Sequence, residues 1–466
     1  MNISLKWLRN AAALVTAAVC LTGGPAAVIA DGNCASVNTV QLSLDKAVEL
    51  GLATSEQLKQ AEEQIRKAEA GITEAKAAAY PKLNLTGQYG RNIKKPVLFL
   101  PPEFGQAFGL QSSYVEMGED NDFSGQAVLD MPLWTVGRIG SAINIARDYL
   151  KAYRDRETAA RNYACYNVKE AYYSALLAKK NLRIAQQALK ATQESARIAR
   201  AGYEEGTVSR FDLLRAEVEL SNREAPLVRA RNDLNRSYIM LRRKCGLDPD
   251  TPVELTDTLS TVTPPEETEK LLSRMHQINP EIGALQARVK MQRQNINLQK
   301  AERYPIFNLT AYYAVQSQWS NDFIPEDNAI ARSAAVQIGV QVPIFDGFSA
   351  KGKIRKAKAD FRLAKIELNN SLRNKELAIR STRLALIDAL TSLEGRRETV
   401  KLAEEAHRIA LVKMKNGLAT PLERLDAELA MTTARAQLAE VLYSCNIARA
   451  QLELAIGIDM ADKYTR

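Results

Sequence analysis

Side chains that could carry out chemistry are few in this sequence. The two histidines, His276 and His407, lie far apart in the chain and cannot form a histidine-based metal site alone. There is no GxxxxGKS or GxxxxGKT phosphate loop, no GxSxG nucleophile sequence and no GxGxxG between a strand and a helix. The sequence therefore predicts no catalytic residues, no metal site and no cofactor, and an enzyme is the least favoured class of function.

Acidic residues follow two glycine-containing turns that we predict between long helices. Asp212 follows the first turn, and Glu423 and Asp426 follow the second. If several copies of the chain met around a narrow axis, these carboxylates would concentrate negative potential and attract cations. The helix dipole alone also favours acids near a helix N-terminus, so this alternative stays open. The residues of these two turns, which would reverse the chain, are Gly206, Thr207, Ser209, Gly417, Leu418 and Thr420.

Two of the five cysteines have a spacing that suggests a disulfide. Cys165 lies 41 residues before Gly206, and Cys245 lies 39 residues after it. In an antiparallel hairpin that turns at Gly206 the two would stand at nearly the same height, and an exported protein folds in an oxidising compartment. We therefore hypothesise a disulfide between Cys165 and Cys245, with two buried free thiols as the alternative. The spacing assigns no partner to Cys34 or Cys445.

The composition is typical of long helices rather than of a compact α/β enzyme. Of the 466 residues, 25% are charged, 46% are hydrophobic and 6% are aromatic. The net charge of +9 would be compatible with a nucleic-acid partner, but Lys and Arg are interleaved with Glu along helical faces rather than clustered. A solvated helix surface is the favoured interpretation, and we expect no nucleic-acid partner.

Residues 1–30 have the pattern of a secretory signal peptide. A positive segment, an apolar stretch from Ala11 to Leu21 and the small residues Val28-Ile29-Ala30 follow one another. Lipidation at Cys20 is the alternative, although the sequence before this cysteine fits lipid attachment poorly. Because no run of about 18 apolar residues follows, we expect an exported chain without a transmembrane helix.

The mature sequence contains an internal duplication. Matching segments are Tyr80-Pro81 with Tyr304-Pro305 and Asn84-Leu85-Thr86 with Asn308-Leu309-Thr310, at an offset of 224 residues. At an offset of 211 residues, Pro132-Leu133-Trp134 matches Pro343-Ile344-Phe345 and Gly206 matches Gly417. The change of offset places a longer loop in the first half, at about 93–123. We predict a first repeat over residues 31–262 and a second over residues 263–466.

Each repeat is predicted to contain a helix, two strands and a helical hairpin. The first helix is predicted over 44–79, since Pro81 follows it. Alternating apolar and polar residues predict strands at about 82–92 and 124–134 in the first repeat and at about 306–316 and 334–345 in the second. Runs of about ten residues with aromatic ends suit tilted strands in an outer membrane, but an amphipathic sheet in a soluble domain has the same pattern.

The predicted hairpins span about 139–246 and about 350–457. Periodicity without proline predicts a helix of about 95 Å from 139 to 202. In the following helix leucine recurs every seventh residue, as in a coiled coil, from Leu213 to Leu241. Pro226 lies inside this helix and should kink it locally.

Four strands are too few to close a membrane barrel, because single-chain outer-membrane barrels begin at about eight. An open sheet would leave backbone groups unpaired in lipid, so several chains must share one barrel if these strands cross a membrane. The hairpins would then form a hollow helical tube below it, which suits transport across the outer membrane and the periplasm. A structural coiled-coil protein and a periplasmic adaptor are the rival interpretations.

The chain resembles the TolC family of outer-membrane efflux and secretion channels over essentially its whole mature length. The resemblance lies in the doubled element order, the YPxxNLT segments, the PLW and PIFDG segments and the turns at 206–214 and 417–425. It implies a mainly α fold with a small β part, in which a homotrimer forms a twelve-stranded β-barrel and a twelve-helix α-barrel. It further implies an outer-membrane location, extension into the periplasm and contact with outer-membrane lipid.

The resemblance also implies partners and a closed aperture. The hairpin tips would dock onto a periplasmic adaptor, which joins an inner-membrane pump, so that the channel is the exit duct of a tripartite efflux or type I secretion system. Asp212, Glu423 and Asp426 fall on aperture positions of the family. Arg215 and Ala419 depart from the family pattern, so we expect a weakly acidic aperture.

Overall fold

The computed structural model describes residues 39–99, 114–320, 330–416 and 418–462. The predicted signal peptide, Cys20, Cys34 and Gly417 lie outside the described residues. From Val40 onward the described elements belong to one unit. No helix in the described ranges is long and apolar enough to cross a membrane.

Eight helices of the described chain fall into two matching sets of four. The first set is α1 (Leu44–Thr54), α2 (Glu56–Ala77), α3 (Arg138–Glu204) and α4 (Arg210–Cys245). The second set is α5 (Thr268–Ile278), α6 (Pro280–Ala301), α7 (Ser349–Lys415) and α8 (Pro421–Ile456). Both sets have lengths of 11, 22, 67 and 36 residues in order. The predicted mainly α fold and its duplication are confirmed.

The prediction of one helix over 44–79 is wrong, because the helix is interrupted at Ser55. Ser55 has a non-helical backbone, with ψ of 113°, and its hydroxyl accepts a hydrogen bond from the Leu58 amide at 3.4 Å. It therefore caps the N-terminus of α2. Asn279 does the same for α6 in the second repeat. By contrast, α4 continues through Pro226.

Within the described ranges the strands form one four-stranded sheet and two small pairs. They are β1 (Val40–Leu42), β2 (Lys82–Arg91), β3 (Val97–Phe99), β4 (Tyr114–Glu116), β5 (Asn121–Trp134), β6 (Val253–Leu255), β7 (Ile306–Trp319) and β8 (Ile330–Gln341). The large sheet is antiparallel with the order β2-β5-β7-β8, so all four predicted strands are present. The fourth ends at Gln341, short of the predicted 345, because Pro343 lacks an N–H and restricts Val342.

The buried core is distributed along the hairpins. One cluster surrounds Tyr172 of α3, where the parallel pair β1–β6 crosses the hairpin. The Tyr172 hydroxyl lies 2.8 Å from an Asp257 carboxylate oxygen and 3.0 Å from the Leu42 carbonyl oxygen, so it ties the connector between the repeats to α3. A second cluster surrounds Ile379 and Leu386 of α7 and Leu452 of α8.

The predicted disulfide between Cys165 and Cys245 is not formed. Both are free thiols with no exposed surface in the cluster around Tyr172, and Cys445 is also free and buried. The Cys245 thiol donates instead to the Ala47 carbonyl of α1 at 3.6 Å. Hairpin spacing fixes the height of two residues but not the direction of their side chains, which the packing of α1 decides here.

We expect neither Cys165 nor Cys245 to react with a thiol reagent until the protein unfolds. Burial raises the pKa of the Cys165 thiol to about 11 and that of the Cys245 thiol to about 12, so almost no thiolate forms at neutral pH. Mass spectrometry after iodoacetamide treatment, with and without denaturant, measures this directly. A cross-linked peptide pair in the non-reduced digest would contradict the free-thiol arrangement.

Candidate functional site: a two-faced sheet and two hairpin tips

The four-stranded sheet has one apolar face and one polar face. Side chains alternate between the two faces of a strand, and the strand register aligns apolar residues with apolar residues, and polar with polar, across all four strands. One row on the apolar face is Leu83, Leu129, Ala311 and Val336. The next row, on the opposite face, includes Lys82, Asp130, Thr310 and Gln337. A sheet of this kind is suited to separate an apolar environment from an aqueous one.

The apolar face is uncovered in the single chain. Leu85 is 83% exposed and Val336 is 73% exposed. On the polar face the Thr310 hydroxyl donates to the Asp130 carboxylate at 2.8 Å. An uncovered apolar face on a sheet whose outer strands are β2 and β8 is suited to lipid contact within a larger, closed assembly.

Aromatic pairs mark both ends of the sheet. Tyr89 and Trp319 lie 6.1 Å apart at the loop end, and Trp134 and Phe307 lie 5.6 Å apart at the helix end. From Phe123, which opposes Tyr89, to Trp134 the strand rises about 36 Å. At the usual tilt of membrane barrel strands this is about 25–30 Å across the bilayer, close to the height of the apolar band in outer-membrane barrels.

The first hairpin tip joins α3 to α4 and contains three predicted site residues. Gly206 has a φ of 75°, the left-handed conformation that reverses the chain. The Thr207 amide donates to the Gly202 carbonyl at 2.8 Å. Ser209 caps α4 by accepting from the Asp212 amide at 3.1 Å, and its hydroxyl donates to the Asp212 carboxylate at 2.7 Å.

The second hairpin tip joins α7 to α8 and has a reciprocal cap. The Glu423 amide donates to the Thr420 hydroxyl at 3.3 Å, and the Thr420 amide donates to the Glu423 carboxylate at 2.9 Å. This is a capping box, so Glu423 has a structural role at the helix start. Leu418 and Asp426 are exposed.

The structure brings parts of the two tips together. Asp212 and Arg215 of α4 line one small cleft with Leu422 and Leu425 of α8. Asp212 and Glu423 each take part in a helix cap, which supports the structural interpretation of these two acids. The role of Asp212, Glu423 and Asp426 at an aperture stays a prediction, as does docking at the tips.

Sequence reasoning missed a buried charged cluster just inside the tips. Arg424 and Glu428 of α8 are both buried, and one Glu428 carboxylate oxygen has no partner among the described residues. Burial raises the pKa of the Glu428 carboxyl, while the nearby guanidinium groups of Arg424 and Arg223 lower it. The duplication contained a signal for this cluster. In the first repeat Glu217 forms an ion pair with Arg200. Glu428 matches Glu217 in the second repeat, but Leu411 stands at the position that matches Arg200, so the same pair cannot form there.

Comparisons with known proteins agree with this geometry. The outer membrane efflux protein family matches residues 47–247 and 271–458. Protein CyaE of Bordetella pertussis is 25% identical over 324 residues, which cover 68% of this chain and 64% of CyaE, so the chain spans just under two thirds of that relative. The proteases secretion protein PrtF of Dickeya chrysanthemi is 22% identical, covering 94% of this chain and 90% of PrtF.

A solved structure shares the fold. The outer membrane protein VceC of Vibrio cholerae superposes with a TM-score of 0.73 and 20% identity, covering 89% of this chain and 96% of VceC. The family match extends over most of the chain, in two segments that each contain a helical hairpin. The chain therefore belongs to the outer membrane efflux protein family.

Proposed function

We propose that the chain is one third of a trimeric outer-membrane channel that exports solutes or proteins across the periplasm and the outer membrane. The observation that best supports this proposal is the four-stranded sheet with one apolar and one polar face, which is continued by two helices of 67 residues. Twelve strands from three chains exceed the minimum for a closed barrel, and the helices provide a tube about 100 Å long. Export along this tube requires no catalysis by the chain.

The hairpin tips are the proposed meeting point with the rest of the export system. The membrane end of the tube and the tips lie at opposite ends of α3 and α7, so the tips project farthest into the periplasm. Proteins of this family form trimeric channels that work with adaptor and pump components. For this chain we assign docking of a periplasmic adaptor, and through it an inner-membrane pump, to the exposed surface around Thr207 and Leu418.

The duplication supports assembly into a ring of three. Along α3, three residues face the second repeat: Asp155 lies against Gly283 of α6, the Tyr166 hydroxyl accepts from Gln451 of α8 at 3.2 Å, and Tyr173 lies near Glu453 of α8. The matching residues of α7 are apolar and exposed in the single chain: Ile366, Leu377 and Leu384. If the first repeat of the next subunit packs against α7 as the second repeat packs against α3, these three residues would lie against α2 and α4 of that subunit.

The test is conductance of the detergent-purified protein in a planar bilayer, together with its oligomeric mass. We expect trimers with a small conductance that prefers cations. The double substitution Glu423→Gln with Asp426→Asn removes the carboxylates but keeps a side chain that can serve the capping box. We expect it to lower the cation preference at least about two-fold at low salt, where charge is least screened.

The matched control is Glu394→Gln with Glu398→Gln, which removes the same charge from exposed positions of α7 about 30 Å from the tip. Equal selectivity in both variants would mean that the tip acids serve only as helix caps. A monomeric, water-soluble protein with no conductance would instead support the structural coiled-coil interpretation.

A further inference from the structure

The start of α7 carries an unusual concentration of positive charge. Seven of the fifteen residues from Lys351 to Lys365 are Lys or Arg, and Asp360 is the one acid among them. The matching segment of α3, Gly140 to Arg154, has three basic residues and one acid. This stretch departs from the expectation that basic residues are interleaved with acids. The fold does not require the charge, because α3 has the same length and position in its repeat without it.

Five of these residues form a basic stripe along one side of the helix. Lys351, Arg355, Lys358, Arg362 and Lys365 follow one another at intervals of four and three residues, which places them on one face. All five are exposed, and none forms an ion pair with a described residue. Like charges so close together repel one another, so the stripe is unfavourable for the isolated chain.

A neighbouring subunit would not cover the basic stripe. The matching positions of α3 are Gly140, Asn144, Arg147, Lys151 and Arg154. All five are exposed although α3 packs against both α2 and α6. In a trimer, α7 would pack against α6 and against the next subunit, as α3 packs against α2 and α6. The basic stripe would then remain exposed, as the matching positions of α3 do.

Aromatic side chains lie at the top of the stripe, next to the sheet. Trp134 packs on Phe307, whose row on the sheet is the apolar one. Phe345 matches Trp134 in the second repeat and packs on Phe348 at 5.7 Å, and the Lys351 ammonium lies 5.8 Å from the Phe348 ring. Phe345 thus occupies the repeat position of Trp134, which packs on the apolar face of the sheet, and its own contacts lead through Phe348 to Lys351.

Phe348 occupies a backbone conformation that the fold normally gives to glycine. Its φ is 66°, and the matching residue in the first repeat is Gly137, with a φ of 74°. A bulky residue in the left-handed region is strained. Phe348 is 68% exposed, and the neighbouring Ile344 and Phe345 are 94% and 77% exposed. The strained backbone therefore does not serve to pack these side chains into a core. It places an aromatic ring outward, beside a lysine, at the end of the sheet.

We propose that Phe345, Phe348, Lys351, Arg355 and Lys358, the α7 anchor, bind anionic phospholipid head groups of the periplasmic leaflet. Aromatic rings prefer the membrane–water interface, and Lys351 and Arg355 lie about 5–10 Å below Phe348, the depth of the head-group layer. Lys358 remains within about one Debye length of that layer. The anchor is a feature of the second repeat alone and would occur three times in a trimer. This inference rests on the proposed outer-membrane channel.

The test measures binding of tail-labelled phosphatidylglycerol to the purified trimer in detergent, at low and high salt. We expect Lys351→Glu with Arg355→Glu to weaken binding at least about ten-fold, since each basic residue near an anionic surface contributes to attraction. The control, Arg147→Glu with Lys151→Glu, makes the same charge change at stripe positions of α3 and should alter binding less than about two-fold. Phosphatidylcholine with the same tails should bind weakly to all variants.

A second variant separates lipid binding from folding. Phe348→Gly relieves the left-handed strain, so we expect the detergent-solubilised trimer to keep or raise its Tm while phosphatidylglycerol binding falls about three-fold. Equal losses in the α3 and α7 charge variants, equal binding of phosphatidylcholine, or displacement of the lipid by millimolar inorganic phosphate would overturn the proposal. Conductance of the same trimers is recorded in parallel, so failure of the channel itself is recognised separately.

Discussion

Val336→Arg is expected to stop the protein from inserting into membranes. Val336 lies near the middle of β8 on the apolar face and is 73% exposed in the single chain. An arginine on the lipid face of a barrel costs about 2–4 kcal/mol at the bilayer midplane, and the trimer would carry three copies. Folding into lipid vesicles, followed by urea titration, measures the loss, and the outer-membrane fraction of cells should lack the variant.

The adjacent residue supplies a matched control for this prediction. Gln337 follows Val336 on the same strand, and its side chain points to the polar face, in the row of Thr310 and Asp130. Gln337→Arg introduces the same side chain one position away and is expected to insert normally, with a change only in channel selectivity. If both variants insert equally well, the apolar face does not contact lipid, and the proposed membrane position of the sheet is wrong.

Leu377→Glu combined with Leu384→Glu is expected to leave the protein largely monomeric. Both leucines are exposed on α7. Leu377 matches Tyr166, which is hydrogen-bonded to the second repeat, and Leu384 matches Tyr173, which lies near Glu453 of that repeat. Burying two unpaired carboxylates at each of three identical interfaces opposes assembly strongly, because an isolated buried charge costs several kcal/mol. Mass photometry or light scattering in detergent would measure the fraction of trimer.

A control variant places the same charges elsewhere on α7. Asn369→Glu with Ala385→Glu adds two carboxylates at positions that are exposed in the subunit and are turned at least about 60° around the helix from Leu377 and Leu384. We expect the fraction of trimer formed by this variant to depend on protein concentration as it does for the wild type. Loss of trimer in both variants would show that net charge, rather than the row of Leu377 and Leu384, controls assembly.

Local sequence signals were sufficient for most of the architecture. The duplication predicted two matching sets of elements, and the structure has helices of equal lengths in both. Proline, glycine and capping residues act within a few positions of themselves, so Gly206, Ser209 and Thr420 located the turns correctly. Alternation over β2, β5, β7 and β8 predicted the strands, because a strand buries or exposes every second side chain.

The tertiary structure alone decided features that depend on direction and on distant partners. Spacing placed Cys165 and Cys245 at one height, but α1 packs against both helices of the first hairpin, and the Cys245 thiol donates to its Ala47 carbonyl. Arg424 and Glu428 look like ordinary surface charges in the sequence, and only the packing of the two hairpins buries them.

The sequence by itself determined which elements form, where they end and that they occur twice, because these properties follow from interactions between residues close in the chain. Which faces meet depends on the rotation of each helix and on the register of each strand against its partners, and the paired residues of β5 and β7 lie more than a hundred residues apart in the chain. The apolar row that ends at Val336 and the exposed row of Leu377 and Leu384 became visible only once those rotations and registers were fixed.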